Sequence, residues 1–452
     1  MRIIIILLFT LSCYGNISSK VQKFEWNGIE VTWLEDNHYP LYQVVVYFAD
    51  GSLADDFKKQ GESRAVFELL ASGTNSYTKD QILSALEFYG SQLSHYVTHE
   101  YSTFEFSGLI KDIIPTGKML CHLFQETNFP QSEVNNYILR EKAKINNLIN
   151  QQSELADSIF RKLSMEKTNL ATSVDGTQKS LSSLTEESLK KKLAYYHSNV
   201  SKKIYIRGPR EALKLEQVIT KDCSWQNGVD SVRRVSLISS HGKKNPRMYY
   251  VTIPNSAQAQ IRIGSYLPKD NFKNKDAAMA LSSYFLGKGM GSLLVEEMRV
   301  KRGFVYYIDA TLQNQNSYGR SVIMTSTSNK NLVESLEVIQ NSLVQSQHPL
   351  KVNERLSKTK SFLKGHFLLS LDQKDETLRQ IILFEHKGQT VLDLEKFVDK
   401  VDLLNEKQIA QINKDAFNWT EQTILILGSE KNIPNLKKKF PTVEVLDYKI
   451  FL

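Results

Sequence analysis

The sequence predicts an α+β protein made of two homologous mixed α/β-sandwich-like domains, each a β-sheet flanked by helices. Three observations carry that prediction. The chain has 452 residues, too many for one ordinary domain of roughly 100–200 residues. A strand pair, helices, a second strand pair and more helices follow one another twice, the trace of duplication with divergence. Neither half shows strict βαβ alternation, which sets the class as α+β. Each half is long enough to bury its own core.

The elements follow in order. Residues 31–34 and 43–48 are rich in β-branched and aromatic side chains and read as strands. Residues 61–72 are apolar at helical spacing, and Thr78 is a natural N-cap for a helix over 79–89. Alternating faces mark strands at 93–99 and 103–109. Helical patterns run through 133–151, 154–165 and 186–196, and 203–206 closes the half as a strand. The polar stretch 225–246 reads as a linker. Beyond it, strands at 249–253 and 260–266, helices at 276–285 and 293–301, and strands at 305–312 and 321–326 repeat the order. Helices at 332–343, 352–368 and 376–386 and a strand at 423–427 complete it.

Composition narrows the function classes. Hydrophobic residues at 41% and charged residues at 23% exclude a disordered or collagen-like chain. A mean hydropathy of -0.33 excludes a multispanning membrane protein. The net charge of +8 is a mild excess, spread in short runs such as 190–192 and 437–439 that read as solvated helix faces. A nucleic-acid partner is not expected, because such a surface concentrates its charge.

The N-terminus reads as an export signal. Arg2 precedes an apolar run over 3–11, and small or polar residues follow at Ser12, Gly15, Ser18 and Ser19. The organisation expected is a signal peptide over 1–19, a first domain over 20–224, a linker over 225–247 and a second domain over 248–452. The location expected is outside the cytoplasm, the periplasm in a Gram-negative cell. Membrane attachment would require lipidation of Cys13, and Thr10-Leu11-Ser12 fits a lipobox poorly. Cys121 lies in an apolar helical stretch and reads as a buried thiol; a bridge to Cys223 stays open, with nothing in the sequence to support it.

Several segments resemble one family. They are 260–264 (QIRIG), the glycine-rich 286–292 (LGKGMGS) and 294–306 (LVEEMRVKRGFVY), with Asp50-Gly51-Ser52 and Gly73-Thr74 in the first half. In order and spacing the chain is similar to the insulinase-like, or pitrilysin-like, zinc peptidases from about residue 25 onward. The resemblance implies a clam-like arrangement of the two domains.

A catalytic member carries His-x-x-Glu-His on one helix: two imidazoles bind zinc, the Glu takes a proton from the metal-bound water, and a distant Glu completes the site. By the resemblance Arg64 replaces the first His, Phe67 the Glu and Glu68 the second His, and the distant Glu falls near Asn147. A guanidinium cannot ligate a metal and a phenyl ring cannot move a proton. The expectation is a degenerate site with no cofactor bound by this chain, in which Arg64 and Glu68, four apart, could pair with each other. His95 and His99 would lie about 13 Å apart along a strand, too far to share a metal. His197, at a helix end, reads as a capping or packing residue.

The resemblance also implies a division of labour between two chains. A homologous subunit would hold the zinc, and this chain would supply Arg302 and Tyr306 to the substrate carbonyl of an unfolded peptide. A forked guanidinium and a phenol suit an oxyanion growing there. Gly287, Gly289 and Gly291 would let substrate approach the backbone closely. Two other readings stay open: a binding or assembly subunit without proteolysis, and an autonomous hydrolase with a rebuilt site.

Overall fold

The computed structural model describes residues 17–166, 168–229, 247–268 and 272–451. Most of the expected leader and the stretch 230–246 of the expected linker lie outside them. The first sheet is built from β1 (Val21–Trp26), β2 (Ile29–Glu35), β3 (Leu41–Phe48), β4 (Gln92–Val97), β5 (Ser102–Leu109) and β6 (Lys202–Gly208), in the order β1-β2-β6-β3-β5-β4. The second comprises β7 (Arg247–Thr252), β8 (Gln258–Pro268), β9 (Ile308–Asn314), β10 (Tyr318–Ser328), β11 (Thr423–Gly428) and β12 (Glu444–Asp447), in the order β12-β7-β11-β8-β10-β9. The inner strand directions match as well: β2 is parallel to β6 as β7 is to β11, and the next pairings toward β4 and β9 are antiparallel in both; the outer edges differ, β1 being antiparallel to β2 and β12 parallel to β7. The duplication read from the sequence is thus present in the topology.

The edge strands β1 and β12 were not expected. Both are short and largely exposed, so neither shows the apolar run that marks an inner strand. Trp225, assigned to the linker, is fully buried in the first-half core against Phe124. Asn227 holds this stretch in place, its Oδ1 accepting from the Lys202 amide at 2.7 Å and its Nδ2 donating to the Gly28 carbonyl. The reading of Cys121 as a thiol is also corrected: Cys121 and Cys223 form a disulfide, with Cα atoms 4.6 Å apart. It ties the helix Ile113–Glu126 to the segment ahead of Trp225. Residues Ile17–Lys20, whose first three were assigned to the leader, form one helical turn, and the Ser18 amide donates to Glu395 of the second half.

Period-two alternation sorts each central strand between two cores. In β3, Val44, Val46 and Phe48 face the helices of their own half, whereas Val45 and Tyr47 join the core of the second half. In β11, Ile424 and Ile426 face inward while Leu425 and Leu427 face the helix Gln152–Ser164. That helix belongs to the first half of the chain, yet Leu155, Ala156, Ile159 and Phe160 cover the second sheet. Conversely, the helix Lys374–His386 packs Leu378, Ile381 and Ile382 into the core shared with Val45, Tyr47 and Tyr205 of the first sheet. Each half lends the other a helix, so the interface is continuous with the core of the second half. Buried on both faces, the central strands read as continuous apolar runs rather than as alternating ones.

Polar bonds fix the junction. The buried Glu100 carboxylate accepts from the Asn316 amide at 2.9 Å, the Ser317 amide at 2.7 Å and the Ser317 hydroxyl. His386, also buried, bridges Glu100 at 3.0 Å and the Tyr47 hydroxyl at 2.8 Å. Tyr205 donates to Glu385 at 2.8 Å, and Lys23 pairs with the same carboxylate.

Candidate functional site

The helix Glu62–Glu68 carries the first set of expected residues. It is shorter than the expected 61–72, ending in turns ahead of Gly73. Gly61, at φ 94, opens it, and a Cβ there would meet the Asp175 carbonyl at 2.8 Å, so only glycine fits. The buried Asp55 fixes this start by accepting from the Gly61 and Ser63 amides and pairing with Lys192 at 3.1 Å.

Phe67 points into the core. It is 2% exposed, and its ring lies 4.8 Å from Tyr196 and 5.3 Å from Phe48, centroid to centroid. Arg64 and Glu68 do not pair with each other. Arg64 bonds Asp175 at 2.7 Å, and Glu68 meets Arg140 at 2.9 Å and His95 at 3.1 Å. The His95 hydrogen bond, and after it the charges of His95, Arg140 and Arg64, outweigh burial and hold the Glu68 carboxyl at about 2.

Asn147 is not part of this cluster. It ends the helix Gln131–Asn147 and accepts from Asn150 at 2.8 Å. The acid of that helix which reaches the cluster is Glu141, buried, pairing with Arg140 at 3.2 Å and Lys144 at 2.7 Å. The Arg140 guanidinium therefore bonds both Glu68 and Glu141. Tyr137, one turn before Glu141, has a buried hydroxyl with no partner among the described residues, and burial pushes its phenol up. The helical period of Tyr137, Glu141 and Lys144 was available in the sequence; that Arg140 would reach Glu68, 72 residues away, was not. His99 is not in a strand: β4 stops at Val97, and His99 sits in the turn, bonded to the Thr172 carbonyl at 3.0 Å. His197 meets Ser198 at 3.5 Å, and its Nε2 is buried with no partner among the described residues.

The second set lies around the glycine-rich turn. The helix Asp276–Leu286 ends at Gly287, where a Cβ would meet the Ala310 amide nitrogen of β9 at 2.1 Å. Gly289 has φ 88, and a Cβ there would meet Phe362 at 2.5 Å. Gly291 faces open space; its carbonyl accepts from Arg355 at 3.2 Å. Gly287 and Gly289 line a cleft of about 410 Å³ with Met290, Arg299, Tyr307 and Phe362.

A π-helical turn, Val295–Val300, leads from there to Arg302. Arg302 Nη1 donates to the Glu297 carbonyl at 2.8 Å and carboxylate at 2.7 Å. Burial acts against the Glu297 carboxylate, but hydrogen bonds from Lys301 and Arg302 keep its pKa below the ordinary 4.5. Tyr306 is 86% exposed, and the Arg299 guanidinium lies 5.0 Å from its ring centroid. The strand expected over 305–312 begins later than read: β9 starts at Ile308, so Tyr306 and Tyr307 precede it.

Known proteins match this architecture at both levels. Residues 31–179 match "Insulinase (Peptidase family M16)" and residues 183–355 match "Peptidase M16 inactive domain". The chain belongs to the M16, insulinase-like, peptidase family. Within the family it is 19% identical to the "Uncharacterized zinc protease YmxG" of Bacillus subtilis, over 90% of this chain and 98% of that one. Its fold superposes on the crystal structure of a peptidase M16 inactive domain from Pseudomonas fluorescens with a TM-score of 0.79 at 18% identity, covering 90% and 98% of the two chains. The periplasmic protease PqqL of Escherichia coli gives a TM-score of 0.74 at 10% identity; the match takes in 92% of this chain and 46% of PqqL. The zinc of the family does not fit the residues at its place in this member. Arg64 brings a fixed cation, Phe67 is core, and the Arg140 guanidinium bonds the two carboxylates a metal would need.

Proposed function

We propose that this chain is the non-catalytic subunit of an exported two-chain zinc peptidase. It places Arg302 and Tyr306 against the substrate carbonyl in the site of a homologous partner that holds the zinc. The observation that carries the reading is the pairing of a degenerate metal helix with an intact, outward-facing Arg/Tyr segment. Tyr306 stands exposed, with its ring held by Arg299, so its hydroxyl can donate to a group outside this chain. Among the described residues Arg302 bonds Glu297 through Nη1, so Nε and Nη2 can donate to a group outside the chain. Glu297 fixes the arm and keeps its direction. A guanidinium and a phenol donating to one developing oxyanion are worth most where water is excluded. The cleft at Gly287 and Gly289 offers an unfolded peptide a place beside that segment.

Export is supported by the basic, then apolar, N-terminus and by the Cys121–Cys223 disulfide, which persists in oxidising compartments. The periplasm is the compartment we assign. The test is isolation of the chain from its native cells, with mass spectrometry of whatever co-elutes in stoichiometric amount. A homologue bearing His-x-x-Glu-His is the expected partner. A chain that elutes alone, or with partners lacking that motif, would overturn the reading in favour of a non-proteolytic binding subunit.

A further inference from the structure

A second cavity, of about 220 Å³, lies between the halves where β4 and β9 end. Both strands are sheet edges. Two arginines line it. Arg161 comes from the helix Gln152–Ser164 of the first half, and Arg320 from β10 of the second. Among the described residues neither guanidinium has a carboxylate partner, and the buried Nε of Arg320 has no hydrogen-bond acceptor. Burial lowers the Arg320 pKa and the Arg161 charge lowers it further, against the opposing pull of Tyr318 and Asp157. Two neighbouring cations facing a cavity, with no carboxylate bonded to either among the described residues, are costly unless something negative binds between them.

The acids nearby are already engaged. Glu100 itself lines the cavity but spends its oxygens on Asn316, Ser317 and His386, and Asp157, whose charge favours the Arg320 cation, pairs with Arg262. His99 is no third cation: burial lowers its pKa, and its Nε2 is used on the Thr172 carbonyl. Tyr96 and Tyr318 supply aromatic walls, the latter stacked on Tyr266.

We infer that this cavity binds the carboxylate of a peptide, gripped between Arg161 and Arg320. The guanidinium fork matches a planar, singly charged carboxylate with two parallel hydrogen bonds. The tyrosines suit the attached side chain. The edge strands give the preceding backbone a place to pair. The source of the carboxylate rests on the peptide reading above; the anion chemistry does not.

Calorimetric titration of the full chain tests this with three probes: an acetylated tripeptide with a free C-terminal carboxylate, its C-terminal amide, and inorganic phosphate. The free acid should bind, with the amide at least tenfold weaker. Arg161→Gln and Arg320→Gln should each weaken the free acid by at least tenfold. Arg320→Gln should leave the unliganded melting temperature unchanged or higher, because it removes a buried unpaired cation. If Arg320→Gln does not fold, the half-exposed Arg161→Gln carries the test. Equal binding of acid and amide, binding of phosphate alone, no binding of the free acid, or unaltered affinity in the variants would each overturn the inference. Acid binding by a chain that co-purifies with no zinc-bearing partner would leave it standing and overturn only the two-chain reading.

Discussion

Truncating Phe67 to alanine tests whether the position of the family's catalytic Glu has become core. The ring is 2% exposed and packs on Tyr196 at 4.8 Å, Phe48 at 5.3 Å and Phe104 at 6.5 Å. A buried Phe→Ala change costs about 3–5 kcal/mol. Aromatic pairs carry about 0.5–1.5 kcal/mol each beyond their burial, so three of them put the loss at the upper end of that range. Against a domain stability of about 5–15 kcal/mol, that is a large fraction. The companion variant is Arg64→Ala, one turn away on the same helix. Its salt bridge to Asp175 is 36% and 45% exposed at the two ends, and such a pair contributes under about 1 kcal/mol. Urea unfolding followed by tryptophan fluorescence reads both, because Trp33 and Trp225 lie in the same core as Phe67. A Phe67→Ala loss below about 1 kcal/mol, or one no larger than that of Arg64→Ala, would refute the reasoning.

Four more outcomes follow from the same structure. Burial alone would raise the Glu100 pKa, but hydrogen bonds from His386 and Ser317 lower it below the ordinary 4.5. Its contribution to holding the halves together is therefore complete above that value and lost as pH falls through the folded one; small-angle scattering from neutral pH to about pH 3 should show expansion only at the acid end. Glu100→Ala should expand the particle at neutral pH, at a cost of about 3–5 kcal/mol, because it strands buried donors. Replacing Cys121 and Cys223 by serine should lower stability by about 2–5 kcal/mol in urea, and the unfolded, unreduced wild type should show no thiol at either position. Gly287→Ala should displace the glycine-rich turn, since its Cβ meets the Ala310 nitrogen at 2.1 Å; the expected result is weaker peptide binding together with faster hydrogen exchange in β9.

Much of this was legible in the sequence because it rests on local pattern. The inner strands announced themselves by β-branched runs, and the duplication by the repeated order. Thr78 caps its helix as read, accepting from the Gln81 amide. What was not legible depends on distance in space. The exchange of helices 152–164 and 374–386 between halves leaves no local mark, because a helix needs only an apolar stripe and its sequence does not say which sheet receives it. The disulfide joins residues 102 apart, and nothing near either cysteine names the other. At the degenerate site, position along the helix gave Arg64, Phe67 and Glu68. Asn147 stands at the end of the helix Gln131–Asn147, whereas Glu141, earlier on the same helix, is the acid that meets Arg140 at the cluster. The pairing of Arg64 with Glu68 failed because helical spacing permits a contact without preferring it over Asp175, Arg140 and His95.

The most direct measurement of the central claim is the rate of cleavage of an unfolded peptide by the two-chain complex carrying Arg302→Ala or Tyr306→Phe here, with assembly checked by size-exclusion chromatography. The account expects each variant to lower kcat by about 10²–10³, the cost of one oxyanion donor, while the two chains stay together. Wild-type turnover in both variants would contradict it.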